Sequence, residues 1–198
     1  MITIIDFGAG NIQSLINALV FLGERVRVGS QPKEIVSAEK VIFPGVGNFG
    51  EAMRTLKKRN LIPAIRRNIQ KGAPFLGICL GFQLLFEESE EANWVEGIKI
   101  FKGRVLRFQK VKVPQIGWNQ IEIKKRDRIF TGIQNKSFVY FVHSFYVKPS
   151  NRKIISGTAN YGRKFVSAIS FQNIFGVQFH PEKSGSVGLK ILKNFVNI

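Results

Sequence analysis

Few residues in this chain can do chemistry. There is one cysteine, Cys79, and there are two histidines, His143 and His180. Cys79 stands in Gly77-Ile78-Cys79-Leu80-Gly81, after an apolar run at residues 74–78 and before a stretch, 79–88, whose pattern opens a helix. A glycine–x–nucleophile–x–glycine pentapeptide at a strand-to-helix junction makes a tight, strained turn. The glycines are needed because side chains there would clash with neighbouring elements, and the turn lifts the central side chain clear of the sheet. It also sets the sulfur at a helix N-terminus, where the macrodipole favours a thiolate. The commoner fate of a lone cysteine is to be a buried, inert residue. The two glycines in this register favour a nucleophile instead.

A cysteine nucleophile needs a base. His180 ends the apolar run 174–179 and is followed by Pro181-Glu182. Residues two apart on an extended chain point the same way. With Pro181 expected to keep this segment extended, Glu182 is predicted to orient the His180 imidazole as the third member of a triad. His143 also ends a strand-like run, 138–142, and either histidine could be a satisfied core residue. The His-x-Glu pairing favours His180. Two other glycine turns follow strand-like runs. Gly8-Ala9-Gly10 lacks the third glycine of a dinucleotide fingerprint, since Gln13 stands there. Gly45-Val46-Gly47-Asn48-Phe49-Gly50 satisfies the pattern, but Arg66-Arg67 stand near the place where an acid should meet a ribose. Taken alone, this turn is a weak nucleotide-binding signal.

These residues need elements to hold them. The first half alternates strands (residues 3–6, 25–28, 40–43, 74–78) with helices. Ile12, Leu15, Ile16, Leu19 and Val20 recur at helical spacing, and residues 49–71 read as a helix interrupted near Pro63. Strands separated by helices imply a parallel sheet covered on both faces. The second half carries short aromatic and β-branched runs (104–109, 118–123, 138–142, 145–147, 153–158, 166–171, 174–179) that predict a more antiparallel section. A last helix is expected at 185–196. No linker divides the halves, so the expected architecture is one α/β domain over residues 1–198, with a mixed, largely parallel sheet between helices.

Composition sets limits on function. The chain has 198 residues, enough to bury a sizeable core. One cysteine permits no internal disulfide and no multi-cysteine zinc site. No leader-like start and no run of 18 apolar residues is seen, so a reduced, cytoplasmic setting is the expectation. Thirty basic residues against 13 acidic ones give a net charge of +17. That balance suits a polyanion partner, but the basic residues alternate with core-type apolar ones and no nucleic-acid signature accompanies them.

The motifs together resemble a known family. Gly77-Ile78-Cys79-Leu80-Gly81-Phe82-Gln83 and Phe179-His180-Pro181-Glu182 are similar to the class I glutamine amidotransferases. Gly8-Ala9-Gly10-Asn11, Pro44-Gly45-Val46-Gly47, Pro114-Gln115-Ile116-Gly117-Trp118-Asn119, Phe141-Val142-His143-Ser144 and His180-Pro181-Glu182-Lys183-Ser184 narrow the resemblance to glutaminase subunits of imidazole glycerol phosphate synthase. The resemblance implies a flavodoxin-like three-layer fold and hydrolysis of L-glutamine to glutamate and ammonia. Cys79 would be the nucleophile, His180 the base and Glu182 its partner. The Gly45-Val46-Gly47 turn and the Leu80 N–H would bind the oxyanion, and Gln83, Ser144 and Phe145 would hold the amino-acid end. Asn11, Trp118, Asn119, Tyr140, His143 and Lys183 would face or couple to a cyclase subunit, in a heterodimer that makes histidine precursors. No metal or organic cofactor is implied. Gln115 and Ile116 depart from the His and Met usual in the family. A second-copy subunit feeding ammonia to a surface-sugar amidotransferase is the alternative.

Overall fold

A computed structural model describes residues 1–8, 12–93 and 95–198. The strands of the first half are β1 (Ile2–Ile5), β2 (Val26–Gly29), β3 (Lys40–Phe43) and β4 (Phe75–Ile78). The remaining strands are β5 (Glu88–Ser89), β6 (Val95–Glu96), β7 (Gly103–Arg107), β8 (Gln115–Gln120), β9 (Glu122–Ile123), β10 (Phe138–His143), β11 (Phe145–Pro149), β12 (Ile155–Asn160), β13 (Lys164–Phe171) and β14 (Ile174–Val177). The main sheet runs β2-β1-β3-β4-β14-β13-β11-β7-β5-β6, with β12 and β9 attached beside β13. From β2 to β14 neighbouring strands are parallel; from β14 through β13 and β11 to β7 they are antiparallel. This is the expected mixed sheet, with the antiparallel section in the second half.

Alternation along the strands explains the three layers. Side chains of successive strand residues point to opposite faces, so Ile5, Val41, Phe43 and Phe75 face one way and Ile2, Ile4, Ile42 and Leu76 the other. Helices α1 (Gln13–Phe21) and α6 (Gly185–Val196) cover the second set, whereas α2 (Pro32–Val36), α3 (Phe49–Lys58) and α4 (Leu61–Gln70) cover the first. Phe7, Phe43 and Phe75 pack edge to face within that first layer. No helix among the described residues is long and apolar enough to cross a membrane.

Several expected boundaries move, each for a local reason. Val20 belongs to the expected apolar face of α1, yet it is 58% exposed. It lies about 100° around the axis from Leu19, off the buried stripe. The break in the 49–71 helix falls at Asn60, in the left-handed region at φ 53°, rather than at Pro63, which sits in the first turn of α4 where no intrahelical N–H is needed. Helix α2 was not expected, because five residues are too few to show a period. Its signal is Gln31-Pro32-x-Glu34, where Glu34 accepts the N–H groups of Ser30 and Gln31. The helix after Cys79 is a single turn, α5 (Leu80–Gln83). It stops because the carbonyls of Leu84, Leu85 and Phe86 accept from Ile98, Ile100 and Lys99 of a returning segment.

Strands β8 and β10 form a separate two-stranded antiparallel ribbon, with Tyr140 opposite Trp118 and His143 opposite Gln115. Its inner face buries Val139 and Phe141. Its outer face exposes Ile116, Trp118 and Phe138.

Candidate active site

Cys79 sits between the end of β4 and the first residue of α5. Its backbone is at φ 53°, ψ −112°, a conformation that L side chains rarely adopt. Such strain costs about 1–3 kcal/mol and persists only where the surroundings enforce it. Here the Cys79 N–H donates to Val177 O at 2.8 Å, and Cys79 O accepts from the N–H groups of Phe82 and Gln83. The two glycines admit this geometry. A Cβ on Gly81 would overlap the Phe43 carbonyl oxygen, and one on Gly77 would come within 2.9 Å of Phe82 Cα. The elbow expected from the pentapeptide is therefore formed, and its sulfur opens on a cavity of about 270 Å³.

His180 closes the cavity from the next strand. Its N–H donates to Tyr140 O at 2.9 Å, its Nδ1 lies 2.8 Å from Glu182 Oε1, and it lines the same cavity as Cys79. The route from His180 to Glu182 differs from the expected one. Residues Pro181–Lys183 form a 3-10 turn, not an extended strand. Proline fits the first position of such a turn, and the turn folds Glu182 back onto the imidazole. Ser184 fixes the turn: its Oγ donates to His180 O at 2.6 Å and accepts from the Tyr140 N–H at 2.9 Å. Burial works against a charged imidazole, but the hydrogen bonds and charges of Cys79 and Glu182 outweigh it and raise His180 to about 10. At that value the imidazole carries its proton at neutral pH, with Glu182 as the acceptor at Nδ1.

His143 plays another part. It is buried among Phe108, Phe141 and Phe165, and burial lowers it to about 4. At neutral pH it has one ring proton for two neighbours, Phe145 O at 2.7 Å from Nδ1 and the Gln115 amide at 3.1 Å from Nε2. Phe145 O can only accept, so Nδ1 carries the proton, and Nε2 faces Gln115 Oε1, an amide whose nitrogen end satisfies it on a flip. His143 thus lines the cavity and braces the turn at Ser144 and Phe145, and its burial keeps it from offering a surface to a partner.

The cavity is lined by Val46, Gly47, Leu80, Gln83, Ser144 and Phe145, all expected site residues, and by Lys183 at the rim. Gln83 Nε2 donates to Phe145 O at 3.1 Å. Gly45 is beside the cavity, and its carbonyl accepts the Leu80 N–H at 3.2 Å. The Leu80 N–H, the expected oxyanion donor, is therefore engaged by the very turn expected to act with it. Gly47 holds φ +100°, which glycine adopts without strain.

One charged lining residue escaped the sequence reading. Glu91 is the one acidic side chain among the described residues lining this cavity, and it accepts the Phe49 N–H at 2.8 Å, at the start of α3. Burial raises its carboxyl above the usual range, against the Phe49 N–H and Asn48. It lies in the cluster Glu87, Glu88, Glu90, Glu91, where no spacing singles it out.

The residues expected to face a partner are partly gathered. Trp118 is exposed and packs edge to face on Tyr140, with ring centroids 6.0 Å apart. Lys183 is exposed. Asn119 turns its amide to Asn160 O and accepts from Gln120 N–H, so it ties the ribbon to β12. Asn11 lies outside the described residues.

Comparison with known proteins agrees with this geometry. Residues 3–198 match the family described as Glutamine amidotransferase class-I. The chain is 48% identical to imidazole glycerol phosphate synthase subunit HisH of Methanocaldococcus jannaschii, over 100% of both chains. It is 49% identical to the HisH subunit of Pyrococcus furiosus, covering 98% of this chain and 97% of that one. Among solved structures, PurLQS from Thermotoga maritima superposes with a TM-score of 0.80 at 18% identity, covering 99% of this chain and 97% of that one, a likeness of fold alone. With a family match along nearly all its length and relatives near half identity, the chain belongs to the class I glutamine amidotransferases.

Proposed function

We propose that this chain is the glutaminase subunit of an imidazole glycerol phosphate synthase, hydrolysing L-glutamine and passing ammonia to a cyclase subunit in histidine biosynthesis. The observation that carries the chemistry is the Cys79 elbow facing a His180 that is itself held 2.8 Å from Glu182. Free glutamine is an amino acid with two charged ends, and the cavity has groups for both. Glu91 and the amide oxygen of Gln83 would pair with the ammonium, and backbone N–H groups of the Ser144–Phe145 turn would hold the carboxylate end. The side-chain carboxamide then reaches the sulfur.

The Cys79 thiolate attacks the carboxamide carbon, and the carbonyl electrons move to oxygen. Collapse of that tetrahedral adduct expels ammonia, which takes its proton from the His180 imidazolium. Forming the thioester removes the charge on sulfur, one of the groups that raised His180. The imidazole is then neutral and can accept a proton from water as the water attacks the thioester. Glutamate leaves and the thiolate–imidazolium pair returns. Glu182 keeps the imidazole oriented throughout.

The adduct oxyanion needs donors, and Leu80 N–H with the Gly45–Gly47 turn is the available pair. Because Gly45 O holds that N–H at rest, the turn must reorient before the hole works. Docking of the cyclase on the face carrying Trp118, Tyr140 and Lys183 would drive that change. The relatives named above are all HisH subunits, which favours this partner over a surface-sugar one. In this reading residues 1–198 act as one amidotransferase domain, in the cytoplasm, without metal or organic cofactor.

The test is glutamate release from glutamine by the chain alone and mixed with a histidine-pathway cyclase and its nucleotide ligand, with Cys79→Ala as control. Strong, Cys79-dependent activation is expected on mixing. Turnover that stays absent with that cyclase present at saturation would overturn the assignment.

A further inference from the structure

Gln178 is fully buried, one strand away from the nucleophile, in a stretch where alternation sends Phe179 into the core and Gln178 and His180 toward the elbow. Its backbone N–H donates to Ser167 O at 2.9 Å, which fixes its height in the sheet. Its side-chain Nε2 lies 3.7 Å from Cys79 Sγ, and its Oε1 accepts from Gln83 Nε2 at 3.0 Å.

The neighbours decide which end of the amide faces the sulfur. Gln83 Nε2 has two hydrogens and two acceptors, Phe145 O and Gln178 Oε1. That donation requires Gln178 to present its oxygen to Gln83, and so its nitrogen to Cys79. Phe145 O is held in turn by His143 Nδ1. The chain His143–Phe145–Gln83–Gln178 therefore ends in an N–H aimed at Sγ. On the other side the sulfur meets Val142 O at 3.8 Å. A carbonyl can stabilise only the protonated thiol, whereas an amide N–H bonds far better to a thiolate than to a thiol. The two contacts pull in opposite directions, and Gln178 is on the side of the nucleophile.

We propose that Gln178 belongs to the catalytic machinery: its amide nitrogen holds the Cys79 sulfur as a thiolate, while its amide oxygen fixes Gln83 at the substrate. This assigns a role to a residue beside the His-Pro-Glu stretch and rests on Cys79 being the nucleophile proposed above.

The experiment is the pH profile of Cys79 alkylation by iodoacetamide in the full-length chain, followed by mass, for wild type, Gln178→Met and Gln178→Glu. Methionine keeps the bulk and removes the donor. Glutamate keeps the shape and the acceptor for Gln83 but sets a carboxylate against the sulfur. The expected result is a midpoint higher by about one pH unit for Gln178→Met, corresponding to about tenfold slower alkylation below the midpoint, and higher still for Gln178→Glu. Circular-dichroism melts identify the folded variants; if methionine prevents folding, the isosteric Gln178→Glu carries the test. Folded variants whose profiles superimpose on wild type would overturn the proposal. Alkylation of wild-type Cys79 that leaves partner-activated glutaminase intact would instead remove the nucleophile reading, a separate result.

Discussion

The two sides of the proposed site are in different states. On one side Cys79 is pinned in its elbow, and His180 is bracketed by Glu182, Ser184 and the backbone of Tyr140. On the other, the proposed oxyanion side, Gly45 O occupies the Leu80 N–H. The difference follows from how each is built. The elbow lies between two central parallel strands, β4 and β14, where adding even a methyl at Gly81 would strike backbone. The 45–47 turn sits at the cavity mouth, with Val46 exposed and Gly47 in a conformation glycine can leave easily. In the proposed reading the rigid half would supply reactivity and the adjustable half control.

The largest effect should come from the rigid half. Cys79→Ala removes the bond-forming atom, and glutaminase activity should fall by at least about 10⁴-fold with or without the cyclase. Any residual turnover above that level in a coupled glutamate assay would mean another group attacks. Glu182→Gln keeps the shape but removes the charge, and kcat should drop by about 10²–10⁴-fold. The same variant tests the electrostatics. His180 binds its proton more tightly when folded, at about 10 against 6.5, so it contributes stability that is full below about pH 6.5 and is lost as pH rises through about 10. Thermal melts of wild type and Glu182→Gln should differ most near about pH 6, narrow as pH rises and converge above pH 10. A difference that grows with pH would contradict the ion-pair description.

The adjustable half should respond separately. Gly47→Ala strains the turn as it stands at φ +100° and removes the backbone freedom that glycine gives it to reorient toward the oxyanion geometry. Partner-activated kcat should fall by about 10²–10³-fold, the range for one lost oxyanion donor, while alkylation of Cys79 by iodoacetamide stays at the wild-type rate. If alkylation slows equally, the two halves are not independent.

What the sequence discloses divides along the same line. The elbow is legible because sterics demand glycine at two fixed positions around Cys79, and His180 because only two histidines exist. The central strands are legible because burial on both faces leaves short apolar runs. The state of the oxyanion turn is invisible: the glycines at 45 and 47 permit an open or a closed hole equally. Glu91 and Gln178 were missed because their roles arise from neighbours 42 and 99 positions away, Phe49 and Cys79. The Pro181 turn was misjudged because proline suits both an extended segment and the first turn of a helix.

The smallest effect should come from the surface that joins the halves. The ribbon's outer face exposes Ile116, Trp118 and Phe138, and Trp118 packs edge to face on Tyr140, whose backbone N–H and C=O both engage the His180–Ser184 turn. A protein pressing on Trp118 therefore loads the base, not the elbow. Trp118 is 55% exposed, so Trp118→Ala should fold normally. As a central aromatic of a docking face it should weaken binding of the cyclase by about 30-fold, near 2 kcal/mol. Titration calorimetry gives that number, and glutaminase assays at saturating cyclase give the second one needed. If docking energy merely holds the partner, saturation restores full activity. If the indole also transmits the change that frees Leu80 N–H, kcat stays low at saturation while Cys79 alkylation is unaltered. The second outcome would extend the adjustable half from the 45–47 turn across the cavity to the ribbon.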